Sequence, residues 1–200
     1  MNILNKMIYT DDFLTLEDYK AIIRPMMSER RYNHCVNVSI EAVRLAKKYG
    51  ADVKKAEVAG ILHDITKEVD FENQLQIIEH GDIILTDVEK STNKLWHAIS
   101  GSVYIQTKLG INDQEIIDAI RYHTTGRANM SLLEKVIFLA DFTSAERNYP
   151  DVEVIRQKAD ISLEEGMLYG IQFTLNKLLE RQSLLCEDAI DAYNEILINR

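Results

Sequence analysis

The chain has 200 residues, 46% of them hydrophobic and 28% charged, with only 8 Gly and 2 Pro, which excludes a disordered or collagen-like polymer and suffices for one domain with a substantial core. Its 23 Lys and Arg against 32 Asp and Glu give a formal net charge of −9, and no basic block interrupts the mixed pattern, so nucleic acid and anionic membrane are disfavoured as partners. The longest apolar runs, such as Val136–Ala140 and Ile83–Leu85, fall far short of a bilayer of about 30 Å, and the first ten residues lack the apolar run and cleavage site of a signal peptide. Cys35 and Cys186 are too few for a disulfide framework; they read as small buried hydrophobes in a cytoplasmic protein.

Helix signals follow one another along the chain. Residues 1–14 read as an N-terminal extension, and 15–200 as a single domain. Thr15-Leu-Glu-Asp18 is a capping arrangement opening a first helix that Pro25 ends or kinks. Ser28 caps a second helix that runs to Gly50, and Asp52 caps a third in which Ala56, Ala59, Gly60 and His63 share a face. Asp70 starts a fourth, ending at His80 and Gly81. Thr86 to Asn93 reads as less regular, and a fifth helix covers Leu95 to Leu109 with a stop at Gly110. Asn112-Asp-Gln-Glu115 and Ser131-Leu-Leu-Glu134 read as capping boxes, and Ser162-Leu-Glu-Glu165 opens another long helix. With no period-two segment, no repeat and no linker, the prediction is an all-α bundle of eight or nine helices.

Four of the five histidines, His34, His63, His97 and His123, fall where a helix face or end turns them inward. Imidazole with carboxylate is the ligand set of zinc, manganese or iron. His63-Asp64 ends the Ala-rich helix, where neighbouring side chains diverge by about 100° and reach one ion only at the rim between them. The small residues Ala56, Ala59 and Gly60 admit a second helix close by, and His34 is its obvious donor, with Arg31 one turn earlier on the same face. Lys67 lies three residues beyond Asp64. Asp141 sits within Phe138-Leu-Ala-Asp-Phe-Thr143, where a carboxylate is costly unless paired or metal-bound.

The order His34, His63-Asp64, His97, His123, Asp141 resembles the HD-domain metal-dependent phosphohydrolases, and within them the YqeK-type symmetrical dinucleoside tetraphosphate hydrolases. The resemblance spans Arg31 to Arg156 and rests on Arg31-Tyr-Asn-His34, Ala59–Lys67, Trp96-His-Ala-Ile-Ser-Gly101, Arg121–Arg127 and Leu139–Arg147. It implies His34, His63, Asp64 and Asp141 as metal ligands, with iron the expected metal. His97 and His123 would complete a second metal position or bond the substrate phosphates. Catalytic roles are implied for Asp64, Lys67, His97 and His123, and substrate contacts for Arg31, Asp64, Ile65, Thr66, Lys67, His97, His123, Thr124, Asp141 and Arg147. The implied reaction is hydrolysis of diadenosine tetraphosphate to two ADP by a metal-activated water, with ADP or GDP as product ligand. Where the family carries a Glu-Pro pair before its arginine, this chain has Ser144-Ala145 ahead of Glu146-Arg147.

Blander readings stand beside these. His80 has a helix-end role only, Trp96 either stacks on a purine or packs in the core, and Arg127 reads as surface-exposed. Another HD-type phosphohydrolase, acting on monophosphates, cyclic nucleotides or alarmones, is the nearest rival function. A non-catalytic nucleotide-sensing module is the next. Helices from Val152 onward either cover the bundle or form a homodimer face.

Overall fold

Side chains that accept hydrogen bonds from the first free N–H groups decide where most of the helices begin. The computed structural model describes residues 13–200, and these contain eleven α-helices, two short 3-10 segments and no β-strand. The elements are α1 (Leu16–Ile23), α2 (Glu29–Tyr49), α3 (Val53–Leu62), α4 (Phe71–His80), α5 (Asp87–Ser91), α6 (Trp96–Leu109), α7 (Gln114–Arg121), α8 (Leu132–Thr143), α9 (Val152–Ile161), α10 (Leu163–Glu180) and α11 (Glu187–Ile198). Thr15 and Ser131 form full capping boxes with Asp18 and Glu134, and Ser28, Asp52, Asp70 and Ser162 each cap the helix predicted to start there. Gly50 and Gly110 end α2 and α6 in the left-handed conformation, at φ 80° and 67°.

The all-α expectation holds, but the helices number eleven among the described residues, not eight or nine. The stretch read as irregular contains α5, opened by a Thr86–Glu89 capping box. The cap of α7 is Asp113, which accepts from the N–H groups of Glu115 and Ile116, whereas Asn112 of the expected box donates to the Gly110 carbonyl at 3.3 Å. Leu14 is buried in the core and Phe13 packs on it; the rest of the expected extension, residues 1–12, lies outside the described residues. No helix among the described residues is long and apolar enough to cross a membrane.

Helices α2, α3, α7 and α8 pack on one another and carry the main core, with α1 laid on α3, α9 and α10 on α8, and α6 bridging α4 and α7. Tyr19, Ile61, Leu62, Ile120 and Phe138 are among its fully buried side chains, each aliphatic one contributing about 1.5–3 kcal/mol. Helices α2 and α3 approach closely at Gly60, where a Cβ would lie 2.7 Å from Ser39 Cα. That contact brings the start of α2 beside the end of α3. Beyond Leu62 the chain continues as tight turns, with N–H groups of Ile65, Lys67 and Val69 bonding carbonyls three residues back at 2.9–3.1 Å.

Candidate metal centre

Four imidazoles and two carboxylates converge from α2, the end of α3, α6, the turn after α7 and α8. His34 Nε2 lies 3.2 Å from His63 Nε2 and 3.1 Å from Asp141 Oδ1, and His63 Nε2 lies 3.4 Å from Asp64 Oδ2. On the other side of Asp64, its Oδ1 is 3.3 Å from His97 Nε2 and 3.6 Å from His123 Nε2, and those two nitrogens are 3.2 Å apart. All four rings are buried. Asp64 thus stands between two half-sites.

The other nitrogen of each ring fixes its chemistry. His63 Nδ1 donates to the Gly60 carbonyl at 2.8 Å, His97 Nδ1 to Lys94 at 2.8 Å and His123 Nδ1 to Ile120 at 2.7 Å. His34 Nδ1 instead meets the Glu146 carboxylate at 2.5 Å. A neutral imidazole donating through Nδ1 presents a bare lone pair at Nε2. Pairs of such lone pairs facing each other at 3.2 Å, flanked by carboxylates, repel unless a cation lies among them. Asp64 Oδ1 is buried with no hydrogen-bond partner, which is the same signature. The ligand atoms of His34, His63 and Asp141, and of His63, Asp64 and His123, each lie within 4.8 Å of one another. These two overlapping groups fit one or two divalent metal ions.

The electrostatics agree. Burial keeps His63 below its ordinary pKa and pushes His97 down to about 3, so both stay neutral. Burial also opposes ionisation of Asp64 and Asp141, but the surrounding imidazoles, and Arg147 beside Asp141, hold both carboxyls well below the usual carboxylate range. Burial works against a charge on His34 as well, yet its bonds to Asp141 and Glu146 raise its pKa. Lys67 is lowered by burial.

A cationic rim encloses the cluster. Arg31 Nη1 donates to Asp64 Oδ2 at 2.6 Å, Lys67 Nζ lies 3.2 Å from His97 Nε2, and Arg147 holds Asp141 through its side chain and, at 2.8 Å, its carbonyl. Thr124 Oγ1 sits 3.1 Å from His123 Nε2 and 3.3 Å from His97 Nε2. Beside Lys67 and Thr124 opens a cavity of about 260 Å³, walled by Leu95, Ile171, Leu175, Leu178, Cys186 and Ala189 and carrying Thr125, whose buried Oγ1 has no partner.

Of the twelve expected metal and substrate residues, ten are assembled at one place: Arg31, His34, His63, Asp64, Lys67, His97, His123, Thr124, Asp141 and Arg147. Ile65 and Thr66 are not. Ile65 lies in the hydrophobic core with its N–H bonded to Leu62, and the Thr66 hydroxyl is engaged at 2.8 Å by the His97 carbonyl and by Ser100 Oγ, so both brace the turn. Trp96 is a packing residue that donates to the Glu89 carbonyl at 2.7 Å, and His80 bonds its own helix end at Gln76. Arg127 is half-buried, paired with Glu134 and Asp118, rather than exposed. Of the cysteines, Cys35 is buried and Cys186 half-buried at the cavity wall. Sequence reasoning missed Glu146, held down to about 2, and Arg156, which donates to the carbonyls of Thr143, Ser144 and Arg147 at 2.7–3.1 Å.

A helical bundle with this His/His-Asp/Asp cluster is the architecture of the HD domain, and residues 31–146 match that family. The symmetrical bis(5'-nucleosyl)-tetraphosphatases of Halalkalibacterium halodurans and Bacillus subtilis are each 37% identical to this chain, over 90% and 89% of it and 95% of each relative. The crystal structure of a predicted HD superfamily hydrolase involved in NAD metabolism from Clostridium acetobutylicum matches with a TM-score of 0.91 at 31% identity, covering 94% of this chain and 100% of that one. The chain belongs to the HD-domain family, in the branch that holds the symmetrical bis(5'-nucleosyl)-tetraphosphatases.

Proposed function

We propose that this chain is a metal-dependent hydrolase that cuts symmetrical dinucleoside tetraphosphates in the middle, converting diadenosine tetraphosphate and water to two ADP. The observation that carries the reading is the convergence of four Nε2 atoms on the two oxygens of Asp64, whose Oδ1 has no hydrogen-bond partner, beneath a rim of Arg31, Lys67 and Arg147. His34, His63, Asp64 and Asp141 would hold the first ion, and His97 and His123 with Asp64 a second. When bound, divalent metal polarises phosphoryl oxygens and acidifies a water. Iron is our expectation; manganese and zinc suit the same donors.

The remaining work falls to the side chains. A substrate with several negative charges is repelled by a protein of net charge −9, so capture needs the local cations of the rim. Arg31, Lys67 and Arg147 neutralise charge on the transferring phosphoryl group and on the departing bridging oxygen. The bond broken joins one of the two central phosphorus atoms to the oxygen it shares with the other. One ADP keeps that oxygen and the other gains the oxygen of water. Lys67 and Thr124 border both the cluster and the apolar cavity, which supports placing the phosphates at the former and one nucleoside in the latter.

The test is a substrate panel of diadenosine tetraphosphate, AMP, a cyclic nucleotide and a guanosine tetraphosphate alarmone. Turnover of the first alone is expected. Faster phosphate release from AMP would assign the site to a monophosphatase, and tight ADP binding with no turnover would assign it to a sensor.

A further inference from the structure

Three of the four imidazoles rest their Nδ1 on main-chain carbonyls of their own turn, at Gly60, Lys94 and Ile120. His34 alone reaches a side chain 112 residues away, Glu146, at 2.5 Å. We propose that Glu146 is a positioning residue that sets the tautomer and donor strength of His34 toward a bound metal.

Glu146 is itself fixed for the task. Its Oε2 accepts from Asn37 Nδ2 at 2.7 Å, one turn after His34 on α2, and its Oε1 accepts from Ser144 Oγ at 2.8 Å as well as facing the ring. Arg156 pins the main chain of the same turn through three carbonyls. The next residue, Arg147, clamps Asp141. One turn therefore braces, from outside, two ligand residues on different helices, His34 on α2 and Asp141 on α8.

The chemistry distinguishes a carboxylate from a carbonyl at this position. An anionic acceptor holds the Nδ1 proton in place, keeps Nε2 bare and makes it the more basic donor. The partner is also a half-exposed side chain, so the strength of His34 is open to substitution where that of the other three rings is not. Loss of such an outer partner typically weakens metal affinity about 10–100-fold.

This rests on the metal reading of the cluster, and the experiment separates the two. Metal-depleted wild type, E146A, E146Q and N37A are titrated with Mn²⁺ against a chromophoric chelator and with Co²⁺, whose ligand-field absorption reports the donors. Nitrogen-15 shifts of the histidines are read in the metal-free proteins. Expected are an affinity loss of about 10–100-fold in E146A, a smaller loss in E146Q and a shifted Co²⁺ band in both, with metal-free melting unchanged; N37A, which retains the carboxylate, stays within a fewfold of wild type. Wild-type affinity and an unchanged His34 tautomer in E146A would overturn the proposal alone. Equal losses in E146A and N37A, with lowered metal-free melting, would reduce Glu146 to a structural brace and also overturn it. Wild type that binds neither ion would overturn the metal reading itself.

Discussion

Replacing Gly60 with Ala tests whether the spacing of α2 and α3 is what holds the two halves of the first ligand group together. The added Cβ would lie 2.7 Å from Ser39 Cα, 3.1 Å from Ser39 N and 3.2 Å from Ala42 Cβ. Carbon atoms rest at about 3.5–4.0 Å, so the helices must part by about 1 Å, and main-chain atoms cannot rotate aside as a side-chain tip would. Alanine gains about 1 kcal/mol in helix propensity over glycine, whereas overpacking costs about 1–3 kcal/mol. The clash with backbone puts G60A toward the upper end of that cost, for a net loss of about 1–2 kcal/mol. His34 and His63 ride on the two separating helices, and a misplacement of about 1 Å is enough for a loss of about 10²-fold in rate. Urea denaturation of the metal-free protein reads the first effect, and turnover of diadenosine tetraphosphate at saturating metal the second. A G60A protein as stable as wild type and fully active would refute the argument that this contact sets the site.

Asp64→Asn keeps the shape but removes the charge shared by both half-sites; turnover should fall at least about 10²-fold and bound metal, measured by elemental analysis, should drop with it. Lys67→Met should lower kcat by about 10²-fold while leaving metal content unchanged, because Lys67 lies on the rim and not among the ligands. Leu175→Trp fills the apolar cavity and should raise KM tenfold or more with little change in kcat, as read from initial rates. Glu89 is buried, which opposes its ionisation, but the Thr86 N–H and Arg121 outweigh burial and hold its pKa below the usual value. Its contribution to stability is therefore present above about pH 4.3, the ordinary value, and fades as pH falls through the lower folded pKa. E89Q should be less stable than wild type at pH 7, and the gap in urea midpoints should close in acid.

Local signals carried much of the fold and rather less of the site. Helices whose first N–H groups are capped by their own sequence neighbours, such as α1 at Thr15 and α8 at Ser131, could be read directly. By contrast α9 and α11 begin at Asp151 and Cys186 without any side-chain cap, so their starts are set by packing of Val152, Ile155, Ala189 and Ala192. The identity of the clustered residues was legible in the order of the histidines. Which imidazoles face one another was not, because His34 with His63 and His97 with His123 are pairs made by helix packing across 29 and 26 residues. For Ile65 and Thr66 the resemblance implied contact with substrate, whereas their side chains are buried in the fold, with the Thr66 hydroxyl bonded to the His97 carbonyl. The role of Glu146 could not be read locally, since two of its partners, Asn37 and His34, lie more than a hundred residues away.

The most direct measurement is the product profile of diadenosine tetraphosphate on metal-depleted protein, with iron, manganese or no metal restored. Two ADP, formed only when metal is present, is the predicted result. ATP plus AMP would contradict the symmetrical cut, and metal-independent turnover would contradict the role given to the four histidines and two aspartates.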